Sequence, residues 1–288
     1  MKRGVCLKSE GISWLASYPK SGNTWVRVFL ENVMSNQDVP ASINGLSTRY
    51  GINRRTFDHL TGVDSAHLLV EEVNTLWVDV ATKFSAASKH PTILKTHASY
   101  KPKEQNPFLV NEAARCAIYL LRNPLDVCPS FAKHLGRNID ETIELMRDEG
   151  YLRCQSYRRW RVEMGECVSS WSMNAETWIA NRDYPVLIVR YEDLRGNPAL
   201  WFKKIVEFLG VAVTEKALAR AIDFSCLERL QEQEAREGFR EKGSQSDRFF
   251  GTGIVGGWRN ELSRAQAQQI VKNHGEVMER LGYSTCLT

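Results

Sequence analysis

Four short apolar runs punctuate the chain: "ISWLASY" (12–18), "TILKTH" (92–97), "CAIYLLR" (116–122) and "VLIVRYE" (186–192). Each is rich in β-branched or aromatic residues and is followed by turn or helix-start chemistry, which predicts buried strands. Between them the apolar positions take helical spacing. Residues 25–35 predict one helix and 126–135 another, with Pro129 in a first turn where proline is tolerated. Residues 198–209 predict a third, with Asn197 as N-cap, Pro198 at the first helical position and Gly210 as the stop. Ser263 opens the last helix with the capping-box pattern "SRAQ". Strands alternating with helices predict an α/β fold, a single domain over 1–288 whose central parallel sheet is flanked by helices. The more polar, less periodic stretches 35–90 and 136–165 read as insertions on that core, shaping the mouth of a pocket.

Composition adds exclusions more than assignments. A chain of 288 residues with 43% apolar and 25% charged content is ordinary for a globular domain. The net charge of +4 allows a basic pocket for an anionic ligand, but without a dense Lys/Arg block it predicts no nucleic-acid surface. Seven scattered cysteines with no C-x-x-C pair argue for reduced thiols over a disulfide framework or a zinc site, so no metal is expected. No apolar stretch is long enough for a signal peptide or a membrane span, which predicts a cytoplasmic enzyme or binding protein.

The chemistry begins at "SYPKSGNTW" (17–25), where a strand ends, turns and starts a helix. Loop N–H groups and the positive end of the helix dipole converge there, a geometry that attracts phosphate or sulfate. Pro19 stiffens the turn and Gly22 lets backbone approach the anion. Ser21, Asn23 and Thr24 offer side-chain donors, Lys20 a mobile charge, and Trp25 a stacking face. The loop is not a Walker A motif, whose lysine follows the last glycine; Lys20 precedes Gly22 by two residues. Taken alone, an ordinary surface turn between strand and helix would carry the same residues. A second strand-turn-helix, "LLRNPLDVCPSFAKHL" (120–135), puts Arg122 at a strand end and Ser130 on the early turns of a helix. Both suit one anion, although Arg122 paired with Asp126 would equally brace the turn.

Together the two stretches closely resemble the sulfotransferases that use 3′-phosphoadenosine-5′-phosphosulfate (PAPS). "YPKSGNTW" is similar to their 5′-phosphosulfate loop, with Asn23 in place of a threonine, and residues 122, 123, 124, 126 and 130 match their 3′-phosphate signature Arg-Asn-Pro-x-Asp-x-x-x-Ser. The resemblance implies a P-loop-like phosphosulfate site in which Lys20, Ser21, Gly22, Asn23, Thr24 and Trp25 hold the donor's 5′ end and Arg122 and Ser130 its 3′ end. It also implies nucleotide contacts from Tyr191, in the strand-turn-helix segment 186–210, and from Ser225. After Ser225 the family commonly has an aromatic where this chain has Cys226. The glycine-rich "FFGTGIVGGWRNEL" (249–262) resembles the loop that closes over the 3′-phosphate, matching at Gly253, Gly256 and Trp258. It carries Gly251 and Thr252 where the family has an Arg-Lys pair. Backbone N–H groups of Gly251, Thr252 and Gly253 can still form a phosphate nest, with charge lent by Arg248 or Arg259. The likeness covers ordered motifs over roughly 12–282 and is greater to bacterial members, which implies a tailoring role in secondary metabolism.

Sulfuryl transfer resembles phosphoryl transfer, with catalysis supplied by positioning and charge stabilisation. Lys20 is expected at the departing oxygen, restrained by Ser130 until an acceptor arrives. A base must take the acceptor's hydroxyl proton. "ILKTH" (93–97) puts Lys95 and His97 at a strand end and on one side of the strand, and a histidine titrates in the right range. The family's Lys-Thr-His segment ends in its usual general base, which implies that role for His97; Glu71 and Glu72 are the alternative bases. The five other histidines read as structural or exposed. The expected reaction is transfer from PAPS, leaving adenosine 3′,5′-bisphosphate (PAP), to a hydroxylated small-molecule or natural-product acceptor. A P-loop-type ATP-dependent kinase and a non-catalytic nucleotide-binding relative are the competing readings. The dimerisation stretch of some relatives is not recognisable, and a homodimer stays open.

Overall fold

Strand β1 (Ile12–Ser17) is buried at every residue, and so is β3 (Ala114–Leu121) after β2 (Thr92–Thr96). The computed structural model describes residues 11–47, 52–86, 92–100, 109, 113–153, 165–243 and 246–287. An antiparallel pair of two-residue strands, β4 (Leu152–Arg153) with β5 (Glu166–Cys167), and β6 (Val186–Arg190) complete the described strands. The main sheet runs β2-β1-β3-β6 and is parallel throughout, with Leu15 opposite both Lys95 and Ile118. Alternation explains the burial. Trp14, Ala16, Tyr119 and Leu121 join a core on one face, while Leu15, Ile118 and Leu120 join another on the opposite face. A parallel sheet covered on both sides requires such continuous apolar runs.

The helices are α1 (Asn23–Ser35), α2 (Arg54–Thr61), α3 (Val70–Ala86), α4 (Pro124–Leu135), α5 (Ile139–Arg147), α6 (Trp171–Ala180), α7 (Tyr191–Gly196), α8 (Pro198–Phe208), α9 (Glu215–Phe224), α10 (Leu227–Glu237) and α11 (Arg264–Arg280). Asn197 caps α8 at Leu200 N (3.1 Å), and Ser263 with Gln266 forms the capping box of α11, both as predicted. Helix α4 starts two residues earlier than predicted, because the Asn123 side chain caps Leu125 N (3.0 Å) and Pro124 occupies the first position. Pro129 therefore lies in the second turn, not the first, and removes one N–H from the helical ladder. The stretch 35–90 is more regular than its polarity suggests: α2 and α3 bury Phe57, Trp77 and Val80 in the Trp14 core.

The connectivity decides where a ligand can sit. From β1 the chain goes out to the edge strand β2, then passes back across β1 to β3. Such a switch in winding direction opens a crevice beyond the carboxyl ends of the strands. Ser17, His97, Arg122 and Tyr191 follow or end β1, β2, β3 and β6, so each strand of the main sheet delivers one residue to that edge.

Candidate active site

A cavity of about 1280 Å³ occupies this edge. Its floor is the turn between β1 and α1, whose backbone is forced left-handed twice: at Lys20 (φ 67°), where a side chain resists it, and at Gly22 (φ 95°). At Gly22 glycine is also required sterically, since a Cβ would stand 2.8 Å from Tyr191 Cδ2. Gly22 caps α1 without a side-chain acceptor, and the first turn of α1 holds no acid. The leading N–H groups of the helix therefore remain available for an anion. Pro19, Lys20, Gly22, Asn23, Thr24 and Trp25 all line the cavity.

Two members of this stretch sit differently from the sequence expectation. Ser21 is buried and does not line the cavity; its hydroxyl has no partner among the described residues. Asn23 turns its amide back under the loop, donating to Leu15 O (3.1 Å) and Ser17 Oγ (3.2 Å), so it braces the turn with Nδ2 while Oδ1 has no partner among the described residues. Trp25 is tied down by its indole N–H to Ser225 O (2.8 Å) and packs edge-on against Tyr191.

Lys20 places its ammonium 3.9 Å from the centroid of the Phe249 ring. Burial first, then the charges of Arg122 and Lys95, draw its pKa from 10.5 down to about 7. Arg122 donates to Lys20 O (2.9 Å) and lies 4.3 Å over the Tyr191 ring, while its Nε is buried without a partner among the described residues. Cations short of counter-charge and buried polar atoms short of partners fit an anionic donor. Ser130 lines the same cavity from α4.

At the end of β2, His97 is buried and faces the cavity. Its Nδ1 stands 2.8 Å from Ser17 O and 3.2 Å from Ser17 Oγ. A carbonyl only accepts, so Nδ1 carries the proton and Nε2 keeps the free lone pair. Burial, followed by the charges of Lys95 and Arg153, holds the imidazole well below its usual pKa and therefore neutral near pH 7. Lys95 is also buried and lines the cavity, paired with Glu241 at 3.3 Å. Glu241 is bound as well by Arg27 at 2.8 Å, and these two cations hold its carboxyl below the usual range against the opposing effect of burial. No sequence signal marked Glu241, which lies in "REGFREK", a stretch that reads as a solvated face.

Asp126 was also missed as a site residue. It does not pair with Arg122; its two oxygens accept from Gly256 N (2.8 Å) and Trp258 N (3.0 Å), tethering the glycine-rich loop over the cavity. Gly251, Thr252 and Gly253 line that roof, and Tyr191 donates to Gly253 O (3.4 Å). Of the two arginines expected to lend charge there, Arg248 lines the cavity and Arg259 lies over Trp258 instead.

Ser225 is a correction. It is fully buried, its hydroxyl bonds back to Ala221 O (2.7 Å), and only its carbonyl acts on the site, through Trp25. Leu227, not Cys226, supplies the apolar contact on that side. The segment 136–165 does shape the cavity, through Arg137, Tyr151 and Arg153 among others, but no described residue of 35–90 lines it. Of the alternative bases, the Glu71 side chain lies outside the described residues, and Glu72 is exposed and bonds to Leu69 N. His274 is a satisfied core histidine beside Ser172 (2.9 Å), whereas His134, read as structural, does line the cavity. No metal-holding group of His, Cys, Asp or Glu occurs among the described residues.

The model of the sulfotransferase domain family matches residues 12–282. The chain belongs to the sulfotransferase family. It is 27% identical to cytosolic sulfotransferase 12 of Arabidopsis thaliana over 89% of this chain and 74% of that protein. It is 26% identical to sulfotransferase 1B1 of Mus musculus, over 88% and 78%. Among solved structures, retinol dehydratase in complex with androsterone and the inactive cofactor PAP superposes with a TM-score of 0.59 at 17% identity, covering 93% of this chain and 80% of that one. Mouse sulfotransferase SULT7A1 complexed with PAP gives 0.56 at 18%, covering 94% and 84%. These likenesses establish the α/β fold, and family membership makes this sulfotransferase a PAPS-dependent enzyme. No described helix is long and apolar enough to cross a membrane.

Proposed function

We propose that this cytoplasmic sulfotransferase moves the sulfuryl group of PAPS to a hydroxyl of a small-molecule or natural-product acceptor, with His97 as the general base. The donor supplies the electrophilic sulfur; the remaining work falls to side chains of this chain. His97 carries the proposal: its Nδ1–H is anchored on Ser17 O at 2.8 Å, so the neutral ring presents Nε2 to the cavity as a proton acceptor. Lys20, drawn down to a pKa of about 7 by burial and the neighbouring cations, regains its charge when an anion neutralises those cations. It is then placed to stabilise negative charge developing at the departing oxygen. Lys95, beside His97 on the same strand, adds a second cation whose charge is tempered by Glu241. Trp25, Tyr191 and Arg122 hold the nucleotide, with the roof at 251–253 closing over it.

The test is transfer of labelled sulfate from PAPS across a panel of hydroxylated metabolites. His97→Ala is expected to lower turnover by roughly 10²–10⁴-fold while PAP binding by calorimetry stays unchanged. A His97→Ala enzyme with full activity would move the base elsewhere. Binding of ATP in preference to PAP would favour a kinase instead.

A further inference from the structure

Arg195, on α7 one turn beyond Tyr191, is a cation on the cavity wall. It is half-buried and makes neither an ion pair nor a hydrogen bond among the described residues. Glu228, an acid that interacts electrostatically with it, is exposed to solvent. Its guanidinium carbon lies 5.6 Å from the centroid of the Trp25 ring and 3.4 Å from the point where a Cβ on Gly253 would stand. Gly253 holds a left-handed φ of 65° there, with its inner face against Leu227 as well. The guanidinium is thus wedged between the stacking tryptophan and the inside of the glycine-rich roof.

Tyr191 sets the scale of the arrangement. The Cδ2 edge of its ring abuts Gly22 of the floor, whereas its hydroxyl points to the roof at Gly253. Arg122 covers the face of this ring and is already engaged at Lys20 O, on the floor side. Arg195 stands at the hydroxyl end, where Gly251 and Thr252 of the roof are uncharged and Arg248, which also lines the cavity, is exposed to solvent. Arg259 lies over Trp258 outside the cavity lining. A guanidinium presents a planar fork matched to phosphate oxygens, and one withdrawn from water without a partner is most stable when an anion arrives.

We propose that Arg195 engages the 3′-phosphate of the nucleotide beneath the roof and thereby makes the site select a 3′-phosphorylated adenylate. This assignment rests on the PAPS reading above. It places a charge on α7 beside the uncharged Gly251 and Thr252 of the roof, and Lys20 and the α1 N-terminus keep the 5′ end.

Calorimetry on the full chain with two probes, PAP and adenosine 5′-monophosphate, tests it. Arg195→Ala is expected to weaken PAP about 10–100-fold and the monophosphate less than about twofold, collapsing the preference between them. Arg195→Lys should recover part of the loss, because it restores charge without the fork, and an unchanged melting temperature guards against misfolding. Equal losses for both probes would assign Arg195 to the base or to Trp25 instead, and no loss for either would also overturn the proposal. Wild-type protein that binds neither probe would sink the PAPS reading itself, an outcome separate from these.

Discussion

Floor and roof of the cavity are built by different means. The floor, residues 18–22, hangs from the last residues of β1. Asn23 returns to Leu15 and Ser17, six to eight residues away, while Arg122 at the end of β3 grips Lys20 O and the Tyr191 ring abuts Gly22. Its left-handed backbone at Lys20 and Gly22 is braced by these bonds within the chain itself, the form that preorganisation takes. The roof, residues 249–258, has no strand or long helix of its own. Glu234 on α10 accepts from Phe249 N (2.6 Å) and Phe250 N (2.9 Å), and Asp126 on α4 accepts from Gly256 N and Trp258 N. Between these two carboxylates the backbone runs over exposed Ile254 and Val255. A floor held by near neighbours tolerates distant change. A roof tied at its ends by two remote acids depends on both, with Gln231 donating to Gly251 O (2.7 Å) and Tyr191 to Gly253 O (3.4 Å) between them.

The contrast can be broken most severely at Lys20. Lys20→Ala leaves the loop's backbone anchors intact and is expected to remove transfer by at least about 10³-fold, read as kcat/KM, with little change in melting temperature. Substantial remaining activity would shift charge stabilisation to Lys95. At the roof, Asp126→Ala strands two amide donors. Charge-assisted bonds contribute about 1.5–3 kcal/mol each, so PAP affinity should fall about tenfold or more while the reactivity of bound donor changes far less. An equal fall in kcat would show that the roof takes part in the chemistry.

The smallest effect concerns pH. In the free protein the Lys20 pKa is about 7, and a bound polyanion must raise it. Below pH 7 the ammonium is already charged and binding needs no proton. Above pH 7 each binding event takes one up, so PAP affinity should decline as pH rises, by up to about tenfold per unit. Lys20→Arg, charged throughout, should flatten that slope. Affinity that climbs with pH would contradict the depressed lysine.

Local patterns carried much of this molecule. All four strands of the main sheet were visible as apolar runs, because a parallel strand buried on both faces needs an unbroken stretch of such residues. Lys20, Arg122 and His97 were legible because each closes or follows such a run. Asp126 was visible only as part of a motif; its acceptance of N–H groups more than a hundred residues away leaves no trace in spacing. Glu241 was hidden by a charged neighbourhood that looks solvated, and Ser225 was misplaced because burial cannot be read from a hydroxyl's position in the chain. In 35–90, the interrupted pattern concealed two helices whose apolar residues face the core on too narrow a stripe to stand out.

The amino-acid sequence by itself determined the sheet, the two strand-turn-helix loops and the family, since backbone periodicity and turn chemistry act over a few neighbouring residues. Only the folded molecule decided which oxygen anchors His97, which acids suspend the roof and which arginine stands unpaired beneath it. Those outcomes depend on distances between segments far apart along the chain, and such distances exist only once the winding of the sheet has brought the strand ends together.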